Sequence, residues 1–286
     1  MNDLRYALRQ LWKSPAFTII AVATLALGIG ANTAIFSVIE TSLLRPLPFP
    51  NADRLVRVYE TFDENGTPKN SLNLTEKTVR QWRDYGRDIF EGIGAATGGA
   101  ASVATAGEST QVFPAARISA NFFDVLGLKP VIGRNFNEAE DQPGGPRVVL
   151  VGYDYWQHNL GGRHDVLGQT IKLDDAPYTV VGVMPKTFRH PYRAEFWLPL
   201  ALNFAADARP NHYLYGVARL RPGITVAQAD AAARRMCAAI NQAAPDPNNA
   251  PRAWLIPLRD SFTLELRPKL LLIAGAALCA LLVAAA

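Results

Sequence analysis

The side chains that most often carry chemistry are thinly spread in this sequence. Its four histidines are His158, His164, His190 and His212. His158 and His164 stand six apart with two glycines between them, whereas a helical metal pair needs ligands on successive turns of one face. The two cysteines, Cys237 and Cys279, are too few for a disulfide framework or a cysteine zinc site. Cys237 falls in a helical pattern and Cys279 in an apolar run, and both read as small buried hydrophobes. No G-x-S-x-G marks a nucleophile, and no G-x-x-x-x-G-K-[ST] offers a phosphate-binding loop. Gly28-Ile29-Gly30 is a lone G-x-G inside an apolar stretch and reads as helix packing. The acid pairs Asp63-Glu64, Glu138-Glu140-Asp141 and Asp174-Asp175 lie in polar or turn-like stretches and read as solvated loops. Asn65-Gly66-Thr67 and Asn73-Leu74-Thr75 match the glycosylation pattern, a frequent chance match. These readings assign no catalytic, cofactor-binding or metal-binding residue and point away from an enzyme.

The elements that must position any site start from composition. The chain has 286 residues, 49% hydrophobic and 19% charged, with a net charge of +4. It is too apolar and aromatic for disorder, long enough for one or two domains, and carries no nucleic-acid signature in its total charge. The apolar residues concentrate at the ends. Phe17 to Ile39 is 23 residues without a charge, and about 20 span a bilayer as a helix. Its Ala, Gly, Thr and Ser suit close helix packing. The run exceeds the usual signal-peptide core and shows no clean cleavage site, so it reads as an uncleaved membrane helix. A second run, 17 residues from Leu270 to Ala286, reads as the start of another membrane helix, which predicts that the chain is a piece of a longer protein.

Arg5, Arg9 and Lys13 precede the first span against the single acid Asp3, which places the N-terminus in the cytoplasm and the long middle segment outside it. Leu4, Leu8, Leu11 and Trp12 recur at helical spacing beside that basic row. They predict a short amphipathic helix on the inner membrane surface, the plainer reading being a basic flank without defined shape. Ser14-Pro15 then starts a new helix. The predicted division is 1–14 amphipathic elbow, 15–40 first transmembrane helix, 41–269 folded domain and 270–286 start of the second transmembrane helix.

Within the domain, residues 45–52 are Pro-rich and predict an extended linker. Strands are expected at 55–60, near 93–105, at 111–119 with an interruption at Pro114, at 147–152, in a hairpin over 170–184 turning at Asp174-Asp175-Ala176-Pro177, and at 195–200, 212–220 and 252–258. Helices are expected from a Thr75 cap to Tyr85 with Val79, Trp82 and Tyr85 on one face, at NFFDVLG ending in Gly127, over 153–162, and over 225–242 with Val226, Ala229, Ala233, Met236 and Ile240 inward. Gly133 and Gly182 predict turns that a side chain would block. Strands and helices mix without regular βαβ alternation, which indicates an α+β domain.

The opening LRYALRQLWKSPAFTIIAVATLALGIGANTAIFSVIETSLLRPLPFPNADRLV resembles the start of an ABC-transporter permease of the MacB/FtsX-like family, and among these the acidobacterial-type permeases. LALGIGANTAIFSV is the most specific part. NFFDVLGLKPVIGRNF, VVLVGYDYWQHNLGGRHDVLGQTIKLDDAPYTVVGVMP and FWLPL follow in the order of the family's periplasmic core domain. The resemblance implies a two-lobed extracytoplasmic domain between the first and second of four transmembrane helices, in a bacterial inner membrane. It also implies that ATP is bound and hydrolysed by a separate or fused ABC ATPase subunit, so this chain itself holds no cofactor. Mechanotransmission for export or efflux would follow, with a second permease copy or an internal duplicate, the lipid bilayer and a periplasmic adaptor as partners. Ala21, Ala23, Ala26, Gly28, Gly30 and Ala31 would then allow close helix contact. Asn32 and Thr33 would bond across helices or mark where the helix leaves the lipid. A membrane-anchored extracytoplasmic sensor and an FtsX-like regulator of cell-wall hydrolases are the alternative readings.

Overall fold

Runs of β-formers fill the middle of the chain, and they pair into one mixed sheet. The computed structural model describes residues 47–61, 71–104, 110–186, 188, 194–203, 211–243, 252–262 and 264, with individual helical residues between 15 and 33 and between 272 and 275. The elbow over 1–14 and most of both predicted membrane helices lie outside the described residues. The chain divides into two units, Met1–Pro46 with Arg259–Ala286, and Leu47–Leu258. In the first unit, Ile19, Val22 and Ile29 are helical and well exposed. Thr33 donates its hydroxyl to Ile29 O at 2.8 Å, a bond within its own helix rather than across to another. Among the described residues, no helix is long and apolar enough to cross a membrane.

The second unit runs β1 (Leu55–Thr61), β2 (Ser71–Leu72), α1 (Glu76–Tyr85), β3 (Phe90–Ala104), β4 (Thr110–Ile118), α2 (Phe122–Leu126), β5 (Ile132–Gly133), β6 (Val148–Val151), α3 (Tyr153–Asn159), β7 (Thr170–Leu173), β8 (Ala176–Val183), β9 (Phe196–Pro199), β10 (Tyr215–Leu220), α4 (Val226–Ala243) and β11 (Arg252–Pro257). The strand order is β11-β1-β10-β3-β4-β9-β6-β8-β5, with β2 on β1 and β7 on β8. Only β4–β9 and β6–β8 are parallel among these pairs. Helices and a mainly antiparallel sheet give the expected mixed α and β character.

Two hydrophobic cores lie along this sheet. Val56 and Val58 of β1, Leu220 of β10 and Leu255 of β11 pack with Val79 and Trp82 of α1 and with Ala229, Ala233 and Cys237 of α4. Further along, Val149, Val151, Val180, Val183, Phe196 and Leu198 pack with Tyr155 and Trp156 of α3. Thr75 caps α1 by accepting from Thr78 N. Tyr85 is exposed instead of joining the apolar face, because α1 ends at that turn and Gly86 carries the chain on to β3. On α4, Cys237 is fully buried and Ile240 only partly.

Other expectations need correction. The residues near 93–105 form one fifteen-residue strand. Pro114 does not interrupt β4, where it stands opposite Ala100. Its carbonyl accepts from Glu195 N just before β9 begins, so its missing N–H falls where the ladder has not yet started. The hairpin turn is Asp174-Asp175 alone, because Ala176 and Pro177 already pair with Leu173 and Lys172. Both turn residues have positive φ, 48 and 62°, as a two-residue primed turn requires. Gly133 and Gly182 face each other across β5 and β8. Gly133 has φ +82° and an added Cβ would lie 2.2 Å from Val181 O, which no side chain tolerates.

Candidate functional site

Residues 47–54 do not form the extended linker that their prolines suggest. They bend through an Asn51 in the left-handed region and a 3-10 turn over Ala52–Arg54, so that Phe49 reaches the interior with 7% of its surface exposed. Its ring lies 6.4 Å from Phe188, which in turn packs at 5.1 Å on Phe123 of α2 and at 5.7 Å on Trp197 of β9. Such tilted and edge-on aromatic contacts add to the burial of the rings themselves. Gly127 makes the approach possible. It closes α2 at φ +71°, and an added Cβ would stand 2.5 Å from Pro50 Cγ.

Two arginines hold the same strap to the sheet. Arg219 of β10 is buried. Its Nε donates to Val125 O of α2 at 2.8 Å, and its Nη1 donates to Pro50 O at 3.1 Å and Asn51 O at 3.3 Å. Its Nη2 is buried without a hydrogen-bond partner. Burial, and then the nearby Arg54 charge, pull the Arg219 pKa down against Glu91 and Asp53. Arg54 donates from Nε and Nη2 to Leu220 O, at 2.9 and 2.6 Å, and pairs with Glu91. One buried guanidinium thus ties the incoming strap, α2 and β10 together. The register Val56↔Pro257 places the first long strand and the last strand side by side, so the chain enters and leaves this unit on neighbouring strands.

A second polar group sits in the first core. Glu60 of β1 is fully buried, and its Oε1 accepts from Thr75 N at 2.9 Å. Its Oε2 lies 2.9 Å from His212 Nδ1 but out of line for a hydrogen bond; that ring nitrogen also faces Asn73 O at 3.1 Å. On the same strand Arg57 is buried. It sits 3.5 Å over the Tyr215 ring and 4.5 Å over the Tyr59 ring, and donates to Asn73 Oδ1 and Gly216 O. Glu60 shares the face of Val56 and Val58 that packs on the helices, whereas Arg57 points to the opposite face and is covered there by the Tyr59 and Tyr215 rings.

The residues singled out by sequence are scattered in space. His158 Nδ1 meets Asp154 O of its own helix, and the His164 ring packs 6.1 Å from Trp156. Cys237 is buried, and burial pushes its thiol up to about 12, far from a reactive thiolate. Among the described residues, no group of His, Cys, Asp and Glu could hold a metal ion. In two of the acidic clusters some carboxylates are tied into the fold, while Glu138, Asp174 and Asp175 stay exposed as expected of solvated loops. Glu140 is buried in a bidentate pair with Arg134 at 2.9 and 2.7 Å, and that hydrogen-bonded guanidinium is the main cause holding its carboxyl below the usual range. Asp141 accepts from Ala120 N at 2.8 Å and Ala201 N at 2.7 Å. Asp174 accepts from Ser102 N and Oγ, and the Ser102 hydroxyl is the main cause lowering its pKa. His190, Cys279, Asp63, Glu64 and Asn65 lie outside the described residues. Arg219 and Phe49 escaped sequence reading; the only available signals were a charge inside a β-run and an aromatic amid prolines.

Comparison with known proteins agrees with this architecture. The family model described as MacB-like periplasmic core domain matches residues 18–236. No curated protein matches the chain in sequence. A crystallised domain of a permease protein from Porphyromonas gingivalis is 17% identical, with a TM-score of 0.54 over 73% of this chain and 93% of that one. The periplasmic region of MacB from Actinobacillus actinomycetemcomitans is 12% identical, with a TM-score of 0.51 over 76% and 94%. The extracellular domain of the noncanonic ABC-type transporter YknZ from Gram-positive bacteria gives 13%, with 0.48 over 71% and 99%. With the family model covering well over half of its residues, the chain belongs to the family of MacB-like periplasmic core domains.

Proposed function

We propose that the chain is the N-terminal part of an ABC-transporter permease subunit. A nucleotide-binding subunit hydrolyses ATP, and the resulting helix movement is delivered to the extracytoplasmic domain. In this reading residues 1–14 are the cytoplasmic elbow, 15–40 the first membrane helix, 41–269 the extracytoplasmic domain and 270–286 the start of the second helix, in a bacterial inner membrane. The partners are the ABC ATPase, a second permease copy or internal duplicate, the bilayer and a periplasmic adaptor, with export or efflux as the outcome. The observation that carries the reading is the β1–β11 pairing. It puts the entry and exit of the domain on neighbouring strands, which suits a domain inserted between two membrane helices. The Arg219 and Phe49 anchors, which fasten residues 47–54 to the sheet, support a role for that strap in passing on a displacement. Affinity purification of the full-length protein from its native membrane tests this. Recovery of an ATPase subunit whose hydrolysis depends on the permease is the expected result. Recovery of a response regulator without any ATPase would replace the permease by the sensor.

A further inference from the structure

A cleft of about 280 Å³ opens beside α1, lined by Arg83, Asn121, Glu138, Asp141, Gln142 and Leu202. Its charged side chains compensate one another at a distance, without a direct ion pair to Arg83 among the described residues. Arg83 is half-buried; its Nε donates to Ile93 O at 3.3 Å and its Nη2 reaches Asn121 Oδ1 at 3.4 Å. Glu138 and Asp141 both act on the Arg83 charge, yet Arg83 makes no ion pair among the described residues. Asp141 acts on Arg83 through its charge, while its two oxygens accept from the Ala201 and Ala120 amides. Glu138 is exposed, and only its backbone carbonyl is engaged, by Gln142 Nε2 at 3.2 Å. The guanidinium edge and the Glu138 carboxylate therefore line one cleft with opposite charge and, among the described residues, spare hydrogen-bonding capacity.

This pattern selects among ligands. A dianion is opposed by two carboxylates, and a simple cation by Arg83. A molecule carrying both charges satisfies both sides: a guanidinium pairs two-pronged with a carboxylate, and a carboxylate accepts from an ammonium. Leu202 and Ala120 add apolar lining for a small side chain. We propose that this cleft binds a small zwitterion with an apolar side chain, a free α-amino acid or the two ends of a dipeptide. Its carboxylate sits on Arg83 and its ammonium faces Glu138. The site is independent of the strap and of the coupling proposed above.

Calorimetric titration of the full chain in nanodiscs tests it, with L-leucine, glycyl-L-leucine and N-acetyl-L-leucine as probes. One or both zwitterions bind, and the acetylated probe, which lacks the ammonium, binds about ten-fold more weakly. Tighter binding by leucine identifies a free amino acid as the ligand, and tighter binding by the dipeptide identifies peptide ends. Arg83→Gln abolishes binding. Glu138→Gln, a substitution at an exposed position that the fold tolerates, weakens the zwitterion about ten-fold and leaves the acetylated probe unchanged. No heat with either zwitterion up to about 10 mM, equal affinity for the acetylated probe, or wild-type binding by Arg83→Gln would each overturn the proposal.

Discussion

A carboxyl group removed from water must either find donors or keep its proton, and Glu60 does some of each. The Thr75 amide serves one oxygen, and His212 stands at the other. Burial is nonetheless the largest influence and raises the Glu60 pKa above the ordinary carboxylate value, against the lowering pull of Thr78, Thr75 and His212. The folded chain thus holds a proton at pH values where the unfolded chain has released it. With more protons bound in the folded state, stability falls as pH rises from the ordinary carboxylate value through the raised one, and Glu60's contribution is complete only below that window. Glu60→Gln keeps an acceptor for the Thr75 amide and removes the titration. Thermal midpoints of the full chain in detergent, taken across weakly acidic pH, should decline less steeply for Glu60→Gln than for wild type. An unchanged slope would mean that Glu60 is ionised throughout. In LVRVYE the period-two alternation already puts Glu60 on the face of Val56 and Val58, but what lets a carboxyl sit there was not legible. Burial of a charge depends on partners about 15 and 150 residues away, and a local pattern does not contain them.

At the scale of elements, local chemistry was readable wherever a short-range rule fixes the backbone. Thr75 caps α1, Gly127 ends α2 in the left-handed region, and the continuous apolar run VVLV is buried throughout as β6. The β7–β8 hairpin was also foreseen, but with its turn two residues too long. Ala176 and Pro177 look like turn residues in sequence, and it is the register with Leu173 and Lys172 that draws them into the strand. The turn uses Asp at both positive-φ positions, where a glycine at the second is strongly favoured. The two aspartates differ in their work. Asp174 fastens the hairpin to β3 through Ser102 N and Oγ, at 2.8 and 2.6 Å, while Asp175 supplies only the bend. Asp175→Gly should therefore stabilise the domain by about 0.5–1 kcal/mol by removing side-chain strain at φ 62°. Asp174→Ala should destabilise it by about 1–3 kcal/mol through the lost acceptor. Thermal melts of the two variants check the pair, and equal effects of the same sign would show that the turn, not the Ser102 tie, sets hairpin stability.

Across the whole molecule, the long sheet has two separate cores but one incoming strap, and Arg219 is where the strap meets both α2 and β10. Its family could be read in the sequence because the NFFDVLG, VVLVG and VGVMP stretches are contiguous. The strap's anchorage could not, since Phe49 and Phe123 converge on Phe188 and Trp197 from distant parts of the chain. A lever needs a rigid attachment, and a buried guanidinium donating to carbonyls of two segments resists sliding in a way that apolar packing alone does not. Arg219→Met keeps much of the side-chain volume and removes every donor from Pro50 O, Asn51 O and Val125 O. It should cost about 1–3 kcal/mol of stability, which a denaturation curve of the purified chain reads directly. If the chain is the permease subunit proposed above, a separate consequence for coupling follows. In the assembled wild-type transporter, trapping the ATPase in its ATP-bound state should change hydrogen exchange in residues 47–61 and onward into β10 and α2. In Arg219→Met the change should stop at the strap, with the β10 and α2 amides exchanging as they do without nucleotide. Arg219→Lys, which keeps the charge but loses the planar fork, should fall between the two. If the methionine variant carries the nucleotide-dependent change into β10 as far as the wild type does, displacement enters the domain by another route, and the neighbouring β11 crossing is the segment to substitute next.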